Sequence, residues 1–191
     1  MIFVLGDSRT GTTSVHRWLV DQGLRSVHYF VPDVPLIEPL HRYRISNWPK
    51  LRSFLRESGY QAFSDYPVRA FFREIVEEFP DAYFILTVRR DLATWRGSML
   101  RFFLGRSIDI ELLQAFYVAW NEEIRALFAE TGGHFLELCI DEDSTEAGSR
   151  LAGFLGFAEA PPLPHLNASI PARADATRFS SNVRPHLLAG E

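Results

Sequence analysis

Ile2-Phe3-Val4-Leu5-Gly6-Asp7-Ser8-Arg9-Thr10-Gly11-Thr12-Thr13, running on as far as Gly23, is the stretch whose reading decides the fold. A short apolar run opens it, a loop bounded by two glycines follows, and Val15, Leu19 and Val20 then recur at helical spacing. A strand, a glycine-bounded loop and a helix in that order aim backbone amides at the helix N-terminus, where the dipole favours negative charge. The stretch predicts an anion site.

Gly6-x4-Gly11 followed by two hydroxyl residues approaches the triphosphate-binding loop GxxxxGKS/T, but Thr12 stands where that loop carries lysine. A loop lysine reaches the β- and γ-phosphates and the next hydroxyl holds Mg²⁺, so this version suits a triphosphate poorly. Nor is another lysine at hand, since Lys50 is the only one in the chain against nineteen arginines. The loop offers instead the Arg9 guanidinium, the hydroxyls of Thr10, Thr12 and Thr13, and amide donors.

The chain has 191 residues, 47% of them apolar, 23% charged and 14% aromatic, which predicts one globular domain over 1–191 with an extended tail over 158–191. A net charge of −4 argues against nucleic acid as partner. The single cysteine, Cys139, lies in an apolar run and reads as a core strand residue. No apolar stretch approaches the length of a membrane span, and no basic leader precedes the first strand, so the expected setting is cytoplasmic.

Further along, residues 24–30 read as a short strand and 31–49, with four prolines, as an irregular excursion. A helix over 50–58 and a strand over 60–64 follow. Asp65-Tyr66-Pro67 opens an amphipathic helix through Val68, Phe71, Phe72, Ile75, Val76 and Phe79. Tyr83–Val88 has the unbroken apolar character of an interior parallel strand. Helices over 92–104 and 108–130 come next, the second with Leu112, Leu113, Phe116, Trp120, Ile124 and Leu127 inward. Strand 134–140 leads to a helix over 145–155 that Asp143, with Glu146 three residues on, would cap. Strands alternating with helices predict a three-layer α/β/α fold on a parallel sheet of four to five strands.

Two stretches resemble the sulfotransferases that use 3′-phosphoadenosine 5′-phosphosulfate (PAPS), whose fold is like that of P-loop NTPases. Ser8-Arg9-Thr10-Gly11-Thr12-Thr13 is similar to their 5′-phosphosulfate loop. Phe84–Asp91 running on to Ser98 is similar to their strand ending in arginine with a serine eight residues later, the pair that holds the 3′-phosphate. That spacing selects Arg90 and Ser98, with Arg89 as the rival one residue out of register. Phe154-Leu155-Gly156-Phe157 and Leu163-Pro164-His165-Leu166-Asn167 resemble C-terminal landmarks of bacterial members, so the likeness covers about residues 1–167.

The resemblance implies a sulfotransferase that releases adenosine 3′,5′-bisphosphate and needs no metal. Ser8, Arg9, Thr10, Gly11, Thr12, Thr13, Arg90 and Ser98 would bind the donor, and Arg9 and Asp65 would be catalytic. Arg9 takes the family's lysine position. Because arginine does not give up its proton, its role would be charge stabilisation. Asp65 stands where cytosolic relatives carry a basic histidine; it either serves as base or caps the helix that follows, in which case His28 or His41 is the alternative base. Tyr29, Phe30, Tyr43, Trp48, Phe102, Phe103 and Tyr117 are candidates for an acceptor pocket, and Arg173 and Arg178 for a cover over the nucleotide. The six histidines have no zinc-ligand spacing. The acceptor would be a small molecule, a glycan or a lipid. Rival readings are a nucleotide kinase or NTPase with a degenerate loop, and a binding module that kept the fold and lost activity.

Overall fold

The computed structural model describes residues 1–28 and 47–166. Five strands, β1 (Ile2–Val4), β2 (Ser26–His28), β3 (Ala62–Ser64), β4 (Tyr83–Val88) and β5 (His134–Cys139), lie parallel in the order β2-β3-β1-β4-β5. Helices α1 (Thr12–Asp21), α2 (Trp48–Glu57), α3 (Phe72–Glu78), α4 (Leu92–Phe102), α5 (Ile110–Thr131) and α6 (Ser144–Leu155) complete the expected α/β/α layering. Tyr29, Phe30, His41, Tyr43, Asn167, Arg173 and Arg178, together with most of the 31–49 excursion and of the 158–191 tail, lie outside the described residues.

Side chains alternate across a strand, so each strand feeds two cores. Phe3, Leu5, Val27, Phe63, Phe84 and Leu86 face α2, α3 and α5. Ile2, Val4, Ala62, Ile85 and Leu138 face α1 and α6. The register sets Phe3 beside Phe63 on one side and Phe84 on the other, and its ring stacks on both at 5.6 and 5.5 Å. From β1 the chain runs out to β2, returns to β3 and then crosses to β4. The loop after β1 therefore sits where the strand order reverses, the place at which open parallel sheets bind ligands.

Local chemistry moves some boundaries. Asn47 caps α2 by accepting from the Lys50 amide at 3.1 Å, which draws Trp48 and Pro49 out of the excursion and into the helix. The segment after Asp65 is broken: a 3₁₀ turn over Val68–Phe71 precedes α3, with Phe71 at φ −123 between them. On α5 the inward face is rotated. Leu112 and Phe116 are 50% and 51% exposed, while Tyr117, Asn121, Ile124 and Phe128 are buried. The reason is tertiary: α5 packs on α4 through Trp95, Met99 and Tyr117 before it reaches the sheet, and that contact sets its rotation. Cys139, at the end of edge strand β5, is only half-buried. Among the described residues no helix is long and apolar enough to cross a membrane.

Residues after α6 cross its surface toward α1. Trp18 donates to the Pro161 carbonyl at 2.8 Å, the Leu163 amide to Ser144 O at 2.8 Å, and the Leu166 amide to Ser14 Oγ at 3.1 Å. A Cβ at Gly148 would stand 2.1 Å from Pro161 O, whereas one at Gly153 on the same helix meets nothing. Gly148→Ala is therefore expected to cost about 1–3 kcal/mol and to lower the melting temperature. Gly153→Ala should leave stability unchanged or raise it by about 0.5–1 kcal/mol through helix propensity. Thermal denaturation of the two variants checks the crossing, and equal effects would refute it.

Candidate active site

The loop after β1 is held by its neighbours as well as by its own hydrogen bonds. Gly6 lies so close to β4 that a Cβ there would stand 1.7 Å from Thr87 Oγ1. Thr10 Oγ1 donates to Asp7 O at 2.5 Å and meets Thr87 Oγ1 at 2.9 Å, which pins the loop to β4 from within. Two indoles donate to its carbonyls: Trp120 to Leu5 O at 2.8 Å and Trp95 to Ser8 O at 3.2 Å. Trp95 stacks on Tyr117 with centroids 4.6 Å apart, and the Tyr117 hydroxyl accepts from the Arg89 amide at 3.2 Å. Asp7 is paired with Arg69 at 2.6 Å.

Arg9 at φ 66 and Gly11 at φ 85 both take left-handed backbone, which bends the loop over the start of α1. That conformation is strained for arginine. Among the described residues no side chain caps α1, and no acidic residue occupies its first turn. Its N-terminal field is thus left directed into a cleft of about 520 Å³.

Arg9, Gly11, Thr12, Thr13, Arg89, Ser98 and Arg101 are among the residues lining that cleft. Arg9 Nε donates to Ser98 Oγ at 3.2 Å, so the loop and the serine of α4 meet directly. The arginine beside them is Arg89. Its Nε and Nη2 grip the two oxygens of Asp141 at 2.9 and 2.7 Å, and its Nη1 donates to Arg9 O at 3.3 Å. Arg90, the choice of the eight-residue spacing, gives its amide to Asp141 at 2.9 Å and leaves its side chain exposed and outside the lining. Successive residues leaving a strand point opposite ways, and Asp141 at the end of β5 draws in the guanidinium of residue 89.

Ser8 and Thr10 do not line the cleft either. Ser8 is exposed, and the Thr10 hydroxyl is turned inward to build the loop. Arg101, which the sequence reading missed, was legible as the residue three after Ser98 and so on the same face of α4. Burial first, then the charges of Arg89 and Arg101, lower the pKa of Arg9. The carboxylates on the far lip are engaged: Asp141 by Arg89, Glu142 by Arg150 at 2.6 Å, and Asp143 by the Thr145 and Glu146 amides it caps. The cleft is therefore cationic around α1, and an anion would relieve its mutual repulsion.

Asp65 ends β3 in left-handed backbone, φ 66. It does not cap a helix. Its Oδ1 accepts from the adjacent Tyr66 amide at 2.8 Å, and the 3₁₀ turn beyond has no side-chain cap. Its Oδ2 lies 3.8 Å from Nε2 of His28, which in turn meets Thr12 Oγ1 at 3.1 Å. His28 is 3% exposed and is part of the interior. Behind it His16, fully buried, holds Ser26 Oγ at 2.7 Å through Nδ1. Of the aromatics proposed for an acceptor pocket, Phe102 lies under the Arg9 guanidinium at 5.0 Å, with Phe103 edge-on to it. Tyr117 is tied up in the loop's support, and Trp48 packs against Phe71. Among the described residues no three His, Cys, Asp or Glu side chains are grouped to hold a metal ion.

A family model described as a sulfotransferase domain matches residues 1–110. The match takes in the loop, Asp65, Arg89 and Ser98; β5, α6 and the crossing segment lie beyond it. Comparison with curated proteins returns no match.

Burial first, then the neighbouring His28 and Arg17, press the pKa of His16 from 6.5 down to about 3. Between pH 6.5 and 3 the unfolded chain binds a proton at this position and the folded chain does not, so stability falls as pH is lowered through that window. His16→Asn should be less stable at pH 7 and flatter between pH 6 and 4. Urea unfolding of both proteins at several pH values tests this, and an unchanged slope would show that residue 16 is not the group responsible.

Proposed function

The chain belongs to the sulfotransferase domain family, and on that premise we propose that it moves a sulfuryl group from PAPS to a hydroxyl or amine of a small-molecule, glycan or lipid acceptor. The observation that carries this reading is a single cleft in which the uncapped start of α1 and the Arg89–Ser98 pair face one another, joined through Arg9. Two anion-binding patches in one cavity of about 520 Å³ suit a nucleotide phosphorylated at both ends.

Thr12 and Thr13, with the first amides of α1, would hold the 5′-phosphate. Arg89, Ser98 and Arg101 would hold the 3′-phosphate. When bound, PAPS supplies an activated sulfuryl group whose departure leaves negative charge on the 5′-phosphate. Arg9, fixed by its bend beside Ser98, would be the cation to meet that charge and would stabilise it without giving up a proton. Asp65 would accept the acceptor's proton at its carboxylate from the end of β3. A kinase reading needs a strand-end carboxylate for Mg²⁺. Asp91, its candidate, caps α4 by accepting from Thr94 at 2.7 Å and is held below the usual carboxylate range by that bond.

Adenosine 3′,5′-bisphosphate is expected to raise the melting temperature, and ATP with Mg²⁺ to do little. Arg9→Ala and Arg89→Ala should each weaken bisphosphate binding about 10-fold or more, as loss of a charge-assisted hydrogen bond would, and Arg90→Ala should weaken it far less. Sulfate transfer from labelled PAPS across an acceptor panel then separates an enzyme from a binding module. A larger, Mg²⁺-dependent shift with ATP would move the reading to a kinase.

A further inference from the structure

We propose that His28 is a positioning residue of the donor loop: held with its proton on Nε2 by Asp65, it donates to Thr12 Oγ1 and so frees the Thr12 hydroxyl proton to point into the cleft. The inference rests on the assignment of Thr12 to the 5′-phosphate above. It adds a second task for Asp65, on the donor side of the reaction.

A threonine hydroxyl has one proton to give and two lone pairs. Thr12 is nearly buried, lines the cleft, and has Nε2 of His28 at 3.1 Å as a partner on its inner side. If Nε2 lacks its proton, it takes the one from Thr12, and the oxygen then turns only lone pairs toward an incoming anion. If Nε2 carries the proton, it donates to Thr12, and the hydroxyl proton is free for the anion. The two tautomers of one buried ring thus decide whether Thr12 attracts or repels a phosphate.

Among the described groups at Nε2, Asp65 is the charged one and biases the choice. Its Oδ2 at 3.8 Å from Nε2 is beyond a hydrogen bond, but a carboxylate at that distance electrostatically favours the proton on the near nitrogen. The carboxylate is fixed in that direction because its Oδ1 is held by the Tyr66 amide and its backbone by the left-handed turn. Strand pairing sets the rest: His28 is in register with Ser64, so Asp65, one residue on, emerges beside the imidazole. His16, whose ring centroid lies 5.6 Å away, stays neutral near pH 7 and brings no competing charge.

Imidazole ¹⁵N correlation spectra of the ligand-free protein read the tautomer directly. His28 should show the Nε2–H form, and Asp65→Asn should shift it toward Nδ1–H; a bare Nε2 in the unsubstituted protein would overturn the proposal. Calorimetry with adenosine 3′,5′-bisphosphate reads the consequence. His28→Ala should bind about 5- to 10-fold more weakly, His28→Gln, which keeps a donor in the same reach, should recover most of the affinity, and His28→Ala should add no further loss in a Thr12→Val background. Independent losses at residues 12 and 28 would equally overturn it. Failure of the unsubstituted protein to bind the bisphosphate would instead overturn the donor assignment, while the spectra still judge the role of His28.

Discussion

The absence of a side chain at residue 6 is the constraint on which the site depends. Only a glycine lets the chain leaving β1 lie against Thr87 of β4, and that approach creates the Thr10–Thr87 contact and brings two carbonyls within reach of Trp95 and Trp120. A loop held this way keeps its bend at Arg9 without help from a ligand. The strain of a left-handed arginine is borne by the packing around it, as backbone outliers at functional positions require.

From that rigid loop follows the electrostatic character of the cleft. Among the described residues three guanidinium groups line it, and each carboxylate of its acidic lip is engaged by an arginine or by the start of a helix. Arg89 works in both directions at once. It neutralises Asp141 and also braces the loop through Arg9 O, so the turn after β5, beyond the residues that the family model matches, is wired into the loop after β1. Bidentate pairing by a planar guanidinium gives this contact a geometry that lysine would not reproduce.

Asp65 illustrates how one residue can serve two neighbours. Its strand places it at the mouth of the sheet, while its backbone turn aims one oxygen at a buried histidine. A carboxylate in that position influences whatever the histidine touches, and the histidine touches the loop.

Sequence alone determined the layered parallel fold, the glycine-bounded loop between β1 and α1 and the Asp143 cap, because glycine spacing, two-residue and helical periodicity, and capping are local properties written in neighbouring residues; the approach of Ser98 to that loop was legible only through the family resemblance. It could not decide which face of α5 turns inward, since Leu112 and Phe116 read as core until α4 fixes the helix's rotation. Nor could it tell which of Arg89 and Arg90 turns its side chain toward the cleft, which is set by Asp141 some fifty residues away in the turn after β5. It also left His28 as a spare base, when its partners include Thr12 on α1 and Asp65 just past β3. Which elements a chain forms is set by interactions along it; which side chains meet is set by strand order and register, and those exist only once the sheet has closed around β1.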